Sequence, residues 1–237
     1  MTEFTSGIFE VGKRIYKNNE GSILRTLVYT IGHFIIAITV LMLISNVSFA
    51  IALTDAIVEP YRLDSNKCIS YLTIEHRGDF SDDSINLDDW IFGCDICQDV
   101  CPWNNRFATD EHDVDFAPVY PLPHLSPHKL LQMDQAEFSG TFSGSPVKRT
   151  KRSGLLRNAS VVLGNNRDNK SIHVLADSLV EDPDPIIRAH SAWALGQIGD
   201  TRAVNLLNYA FDNEADADVL VEIKAALEEL SNQKKWQ

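Results

Sequence analysis

Cysteine is scarce in this chain, which has only four in 237 residues. Four cysteines in a chain of this length do not form the dense framework of a small disulfide-bonded domain, so that class is excluded. The net charge of -12 excludes a protein that is basic all over, although it leaves room for a local basic patch. The chain also lacks a Ser-His-Asp arrangement, a P-loop and a Rossmann signature.

Charge is absent from one long stretch near the N-terminus, because no Asp, Glu, Lys or Arg occurs between Thr26 and Thr54. A run of ~20 apolar residues is enough to cross a bilayer. Residues 26–53 are therefore predicted to form a hydrophobic helix, either a transmembrane helix or an uncleaved signal anchor. Two alternatives stay open: a cleavable signal ending at the small residues near Ala50, and a helix buried in a protein core.

The four cysteines are concentrated in one part of the chain. Cys94, Cys97 and Cys101 form the pattern C-x2-C-x3-C-P, and Cys68 lies upstream. Thiolates at this spacing converge on one metal centre, and the Cys-Pro ending is that of the bacterial ferredoxin run. The pattern predicts an iron–sulfur site.

Composition divides the chain into four parts. Turn-forming residues and all the cysteines fall between the apolar stretch and a proline-rich region that ends near Pro127, which is typical of irregular structure. The predicted parts are a polar N-terminal segment, the hydrophobic helix, a partial ferredoxin-type domain and a helical repeat domain, at 1–25, 26–53, 54–135 and 136–237.

An internal repeat with an offset of 32 residues occupies the C-terminal part. Gly164 corresponds to Gly196, and Asp168 to Asp200. The same offset continues into a third unit; further pairs are Ile172 with Val204, Asp184 with Asp216 and Leu195 with Leu227. Paired short helices with this period predict a HEAT-type solenoid. The fold class is therefore predicted to be mainly α, with a small ferredoxin-like iron–sulfur segment before the HEAT-like repeat and the hydrophobic helix at the N-terminus.

A basic run opens the repeat domain in an otherwise acidic chain. Lys and Arg contacts to phosphate supply most nonspecific nucleic-acid affinity, so the run predicts RNA contact; the alternative is a solvated helix start that balances neighbouring acids. The residues are Lys148, Arg149, Lys151, Arg152 and Arg157.

Several other prominent residues are predicted to be structural. Trp103 and Trp193 are expected to pack in a core rather than stack on bases. His190 precedes an apolar run and is expected on a helix, packed and not a ligand. Asn158 and Asn165 are expected to cap or bridge turns.

In combination, these motifs resemble the epoxyqueuosine reductase family. The matching stretches are CISYLTIEH from Cys68, GCDICQDVCPWN from Gly93, KRTKRSGLLRN from Lys148 and HSAWALG from His190. The resemblance covers roughly Thr54 to Leu230. It implies reduction of epoxyqueuosine in tRNA with a cobalamin and two [4Fe-4S] clusters, tRNA and not DNA as the nucleic-acid partner, and a cytoplasmic location. If residues 26–53 span a membrane, the location is the membrane instead.

The chain departs from the family pattern in its first half. The family has a run C-x2-C-x2-C-x3-C-P before a sequence like Thr54-Asp-Ala-Ile57, whereas here the apolar stretch occupies that place. The family's N-terminal catalytic domain and most of its cobalamin pocket have no counterpart. We therefore expect a truncated or decayed homologue that is not catalytically competent alone and does not bind cobalamin alone. A reading-frame change would account for residues 26–53.

Three ligand arrangements remain open for the cysteines. By the family pattern, Cys68, Cys94 and Cys97 would bind one cluster and Cys101 the other, so that neither cluster is complete. Alternatively all four cysteines hold one [4Fe-4S] cluster. The third arrangement is zinc, bound by four thiolates or with a nearby His76 or His112 as a ligand. Two other functions also remain open: a membrane-anchored iron–sulfur electron carrier, and a HEAT-type binding module with vestigial ligands.

Overall fold

The computed structural model describes residues 30–38, 55–59, 61–80, 86–107 and 125–233. The chain separates into two compact units, Met1–Leu53 and Thr54–Gln237. In the first unit, residues 30–38 form helix α1. Within the described ranges, no helix has both the length and the apolar character needed to span a membrane. The remainder of the predicted hydrophobic helix over 26–53 lies outside the described residues.

The second unit begins with a small hairpin. Strand β1, Ile57–Glu59, pairs antiparallel with β2, Arg62–Leu63, and Tyr61 between them has a φ of 65°. A 3-10 turn follows at Ser65–Lys67. Its start is capped by the Asp64 carboxylate, which accepts the Asn66 N–H at 3.1 Å. Helix α2, Ile69–Ile74, follows this turn.

The cysteine-rich stretch continues as two short helices, α3 at Ile96–Asp99 and α4 at Pro102–Phe107. Pro102 stands at the first position of α4, where its missing N–H leaves no helical hydrogen bond unmade. We use "cysteine segment" for the described residues from 55 to 107. Its apolar residues Ile69, Leu72 and Leu87 are buried together with Val161 and Val162 of the repeat.

Two capped helices connect the cysteine segment to the repeat. Helix α5, Pro127–Leu131, is capped by the Ser126 hydroxyl, and α6, Gln135–Thr141, is capped by the Asp134 carboxylate. A 3-10 turn at Pro146–Thr150 then leads into the first repeat helix.

The repeat consists of helices stacked around the main core. Helix α9 packs against α7, α8 and α11, so it forms the centre of the stack. The helices are α7, Lys151–Asn165; α8, Ile172–Glu181; α9, Pro185–Ile198; α10, Ala203–Asn213; and α11, Ala217–Gln233. The second unit is mainly helical, as predicted.

The 32-residue offset recurs in the packing of these helices. A Cβ on Gly164 would lie 2.9 Å from the Cα of Ala194, and a Cβ on Gly196 would lie 2.9 Å from the Cα of Ala226. Glycine at both positions therefore lets α7 approach α9 closely, and lets α9 approach α11 closely. Asp168 and Asp200, which the repeat pairs, also make the same hydrogen bond. Each carboxylate accepts the backbone N–H of the residue two positions further along the chain.

Largely buried ion pairs join the first and the second helix of a repeat unit. Arg152 donates to Asp182 at 2.5 Å, and both side chains are at most 11% exposed. In the next unit, Arg188 pairs with Glu214 at 2.7 Å. Arg188 also donates to the Asp182 carbonyl at 2.9 Å. Since Asp182 and Glu214 are also 32 residues apart, the acid at the end of each second helix repeats its role.

Candidate metal centre and nucleic-acid surface

The four cysteines lie within or beside the short helices. Cys68 is the N-cap residue of α2, and Cys94 follows Gly93, whose φ is 74°. Cys97 lies on α3 and is exposed, whereas Cys101 lies between α3 and α4 and is half-buried. None of the four is in a disulfide.

Three of the thiols interact electrostatically. Burial raises the pKa of Cys94, a hydrogen bond from the Ile96 backbone opposes that rise, and the charges of Cys68 and Cys97 raise the pKa further. The charge of Asp95 raises the pKa of Cys94 as well. The raised pKa favours the neutral Cys94 thiol, and a bound cation would favour the thiolate instead.

The cysteines supply part of the ligand set of one iron–sulfur cluster. Cysteine thiolates are the usual ligands of such clusters, with four per cluster. In the described part of the chain, no three His, Cys, Asp or Glu side chains stand close enough together to hold a metal ion. We use "half-site" for Cys68, Cys94 and Cys97, whose sulfurs must move closer together to share one cluster.

Of the two histidines named as alternative zinc ligands, His76 makes contacts within the cysteine segment. His76 Nε2 donates to the Asp79 carbonyl at 2.8 Å, and its ring stacks on Phe80 with 5.3 Å between centroids. These contacts commit the ring to the packing of the segment. His112 lies outside the described residues.

Thr73 is the centre of the hydrogen bonds that join the two cysteine-bearing stretches. Its hydroxyl donates to the Ile69 carbonyl at 2.7 Å and accepts the Gly93 N–H at 3.0 Å. Its carbonyl oxygen accepts from the Thr150 hydroxyl at 3.0 Å and from Asn158 Nδ2 at 2.9 Å. Sequence reasoning missed Thr73, because a threonine in an apolar helix carries no sign of its long-range partners.

Arg157 anchors the C-terminal end of α2 to the repeat. Its guanidinium donates to the carbonyl oxygens of Leu72 at 3.0 Å and Gly78 at 2.7 Å. The residue is 1% exposed, and burial lowers its pKa to about 10. The prediction that Arg157 contacts tRNA is therefore wrong for this structure, because its donors are used inside the protein.

The rest of the basic run is divided between surface and interior. Lys148, Arg149 and Lys151 are exposed, and Arg149 forms a surface ion pair with Glu75 at 2.6 Å. Arg152 was also predicted to bind tRNA, but it is held by Asp182 and by the Met133 carbonyl at 2.8 Å, so the structure assigns it to the repeat's interior contacts.

His190 is packed, as the sequence predicted. Its Nδ1–H donates to the Ile186 carbonyl at 2.8 Å. Its ring and the Phe80 ring pack edge to face, with 5.6 Å between the ring centroids. Burial lowers the pKa of His190 to about 4, and the nearby Arg157 charge acts in the same direction. The ring is therefore neutral at ordinary pH.

The two tryptophans have different environments. Trp193 packs against the core and faces Gly164. Trp103 is 71% exposed and stacks on Phe107 with 5.6 Å between centroids, so the prediction that it packs in a core is wrong. The proline that precedes Trp103 marks the motif but gives no information about which face of α4 is covered.

Comparison with known proteins supports both halves of the second unit. The family "4Fe-4S double cluster binding domain" matches residues 53–104, and the family "HEAT repeats" matches residues 153–228. An epoxyqueuosine reductase of Xanthomonas campestris is 40% identical over 147 residues, which is 62% of this chain and 41% of that protein. One of Bacillus subtilis is 32% identical over 177 residues, which is 74% of this chain and 45% of that protein.

A solved structure gives the same result at the level of the fold. The crystal structure of an epoxyqueuosine reductase with a tRNA-Tyr epoxyqueuosine-modified stem loop has a TM-score of 0.69 and 30% identity to this chain. The similarity covers 75% of this chain and 47% of that one. This chain is homologous to the epoxyqueuosine reductases. It spans about two fifths to half the length of these relatives, and the homology includes the cysteine segment and the repeat that the sequence motifs identified.

Proposed function

We propose that this epoxyqueuosine reductase homologue binds a single iron–sulfur cluster through its cysteine segment and tRNA through the exposed start of its repeat. The observation that carries the first part is the spacing of Cys94, Cys97 and Cys101, with Cys68 upstream, inside a match to a double-cluster family. The relative crystallised with a tRNA stem loop supports the second part.

The number of cysteines sets an upper limit on cluster binding. A [4Fe-4S] cluster takes four thiolates, and the chain has four cysteines in all. One complete cluster is therefore the maximum with cysteine ligands alone. We assign the fourth position at the Cys68, Cys94 and Cys97 half-site to a non-cysteine ligand, because the cysteine before the proline ligates the other cluster in two-cluster ferredoxins, and Cys101 holds that place here.

A single cluster limits what the chain does by itself. The relatives match a family built around two clusters, and their name describes reduction of an epoxide in a modified tRNA base. We propose that this chain does not reduce epoxyqueuosine alone, because the second cluster of the electron path lacks its thiolates. Cobalamin would be held by a separate catalytic domain. Because the proposed partner is tRNA, we propose a cytoplasmic location.

Within the site, the protein's own residues position and insulate the thiolates. A bound cluster would supply one-electron transfer. The Ile96 N–H stabilises the Cys94 thiolate by a hydrogen bond, and such bonds to sulfur are a known means of setting cluster potential. The buried residues Ile69, Leu72 and Leu87 exclude water from one side of the segment.

Anaerobic reconstitution of serine variants tests this assignment. The full chain is treated with iron and sulfide, and broad visible absorption per chain is measured for the wild type, Cys68→Ser, Cys94→Ser and Cys101→Ser. We expect loss of absorption in the first two variants and retention in Cys101→Ser. Equal loss in all three would support a four-cysteine cluster, whereas no absorption in the wild type would contradict cluster binding altogether.

A further inference from the structure

The two stretches that carry the half-site cysteines are joined through one threonine. Cys68 caps α2, which also contains Thr73, whereas Cys94 belongs to a stretch that follows much later in the sequence. The Thr73 hydroxyl accepts the N–H of Gly93, the residue next to Cys94, at 3.0 Å. The hydroxyl's own hydrogen is donated to Ile69 O at 2.7 Å, which fixes its rotamer.

The first repeat helix reinforces the same junction. The side-chain amide of Asn158 donates one hydrogen to the Thr73 carbonyl and the other to the Ile91 carbonyl, each at 2.9 Å. Both donors of one buried amide therefore span the gap between α2 and the stretch before Cys94. The Asn158 oxygen accepts from Arg157, so the amide orientation is also fixed.

We propose that Thr73 and Asn158 are positioning residues that set the relative placement of Cys68 and Cys94 for cluster binding. The proposal rests on the proposed function, because it takes the half-site to be a cluster site. The two side chains act through the backbone, at the Gly93 N–H and the Ile91 carbonyl. Both are 0% exposed, so no water competes for these bonds.

This arrangement couples the cluster to the repeat. Outer groups that orient metal ligands are worth roughly 10–100-fold in affinity when removed. Here the outer group Asn158 belongs to α7, which begins at the exposed Lys151. Cluster binding is therefore expected to stabilise the start of the repeat. In turn, the folded repeat is expected to keep the half-site cysteines in position for cluster binding.

Thr73→Val and Thr73→Ser form the matched pair that tests the proposal. Valine has nearly the same shape but leaves the Gly93 N–H unpaired, whereas serine keeps the hydroxyl. The reconstituted full chain is mixed anaerobically with an iron chelator, and the loss of visible absorption is followed. We expect Thr73→Val to lose its cluster about tenfold faster than the wild type, and Thr73→Ser to restore the wild-type rate.

A second variant and a second measurement keep the test decisive if Thr73→Val does not fold. Asn158→Asp keeps the acceptor for Arg157 but removes both donors, and Asn165→Ala on the same helix is the control. The rise in melting temperature on cluster loading is measured for each. We expect a smaller rise for Asn158→Asp and an unchanged rise for Asn165→Ala.

The outcomes separate the two proposals. A wild-type chain that takes up no cluster overturns the proposed function and this inference with it. A wild-type chain that takes up a cluster, with wild-type chelation rates and melting shifts in both Thr73→Val and Asn158→Asp, overturns the inference alone. A lower melting temperature of the apoprotein without faster cluster loss shows a merely structural role and also overturns it.

Discussion

The guanidinium carbon of Arg157 lies 4.1 Å from the centre of the Phe80 ring, and this contact joins the repeat to the cysteine segment. The guanidinium also donates to carbonyl oxygens at the end of α2. A buried cation is tolerated only where its hydrogen bonds are made. In this protein the partners are backbone oxygens and an aromatic face, and burial lowers the pKa of Arg157 to about 10.

Replacing Arg157 with leucine should destabilise the junction. The carbonyls of Leu72 and Gly78 would lose their donor in a buried site, at a cost of about 1–3 kcal/mol for each unsatisfied group. We expect the free energy of unfolding of the apoprotein to fall by about 2–4 kcal/mol in urea titrations. Lys148→Leu, at an exposed position, is the control and should change it by less than about 0.5 kcal/mol. Equal effects would contradict the assigned role.

The close helix approach at the repeated glycines makes a second prediction. Gly196→Ala would bring a Cβ to within 2.9 Å of the Ala226 backbone, so the helices must separate. We expect a loss of about 1–3 kcal/mol in the free energy of unfolding. Gly140→Ala, on a helix with open space around it, should instead be neutral or stabilising by up to about 1 kcal/mol. A tolerated Gly196→Ala would show that the repeat packs more loosely.

His190 should make stability fall in mild acid. Its folded-state pKa of about 4 lies below the unfolded value of about 6.5, so the unfolded chain binds the proton first. The stabilisation is complete above about pH 6.5 and is lost as pH falls from there towards 4. The loss reaches on the order of 3 kcal/mol.

Urea titrations at several pH values measure this effect. His190→Gln should flatten the slope between pH 6.5 and 4, whereas His173→Gln, at an exposed position, should leave it unchanged. The same slope in the wild type and His190→Gln would show that other groups control acid stability.

The exposed part of the basic run should govern RNA affinity. The double variant Lys148→Ala, Lys151→Ala is expected to bind a tRNA stem loop more weakly. The slope of log binding constant against log salt concentration should become shallower by about 0.7–0.9 for each phosphate that is no longer neutralised. Lys170→Ala with Lys224→Ala removes the same charge elsewhere on the repeat and is the control. Binding measured by fluorescence anisotropy at several salt concentrations separates the two. Equal weakening in both pairs would indicate only a general charge effect.

The repeat could be predicted from the sequence because its determinants are local and periodic. Gly164 and Gly196 mark the close contacts, and Asp168 and Asp200 cap the turns at the same offset. Each of these residues acts on neighbours in its own unit or the next one. A single chain therefore displays the pattern more than once.

The junction between the cysteine segment and the repeat could not be predicted in this way. Arg157 is part of a basic run by sequence, yet it is buried because carbonyls at the end of α2 surround it. The same physical reason applies to Thr73, whose partners Gly93 and Asn158 are far along the chain. Long-range hydrogen bonds carry no periodic signature.

The iron content of the wild-type chain tests the central claim most directly. The full chain is reconstituted anaerobically, desalted, and assayed for iron and acid-labile sulfide per chain. One cluster at the Cys68, Cys94 and Cys97 half-site predicts about four irons and four sulfides per chain. About twice that amount, or none at all, would contradict the account.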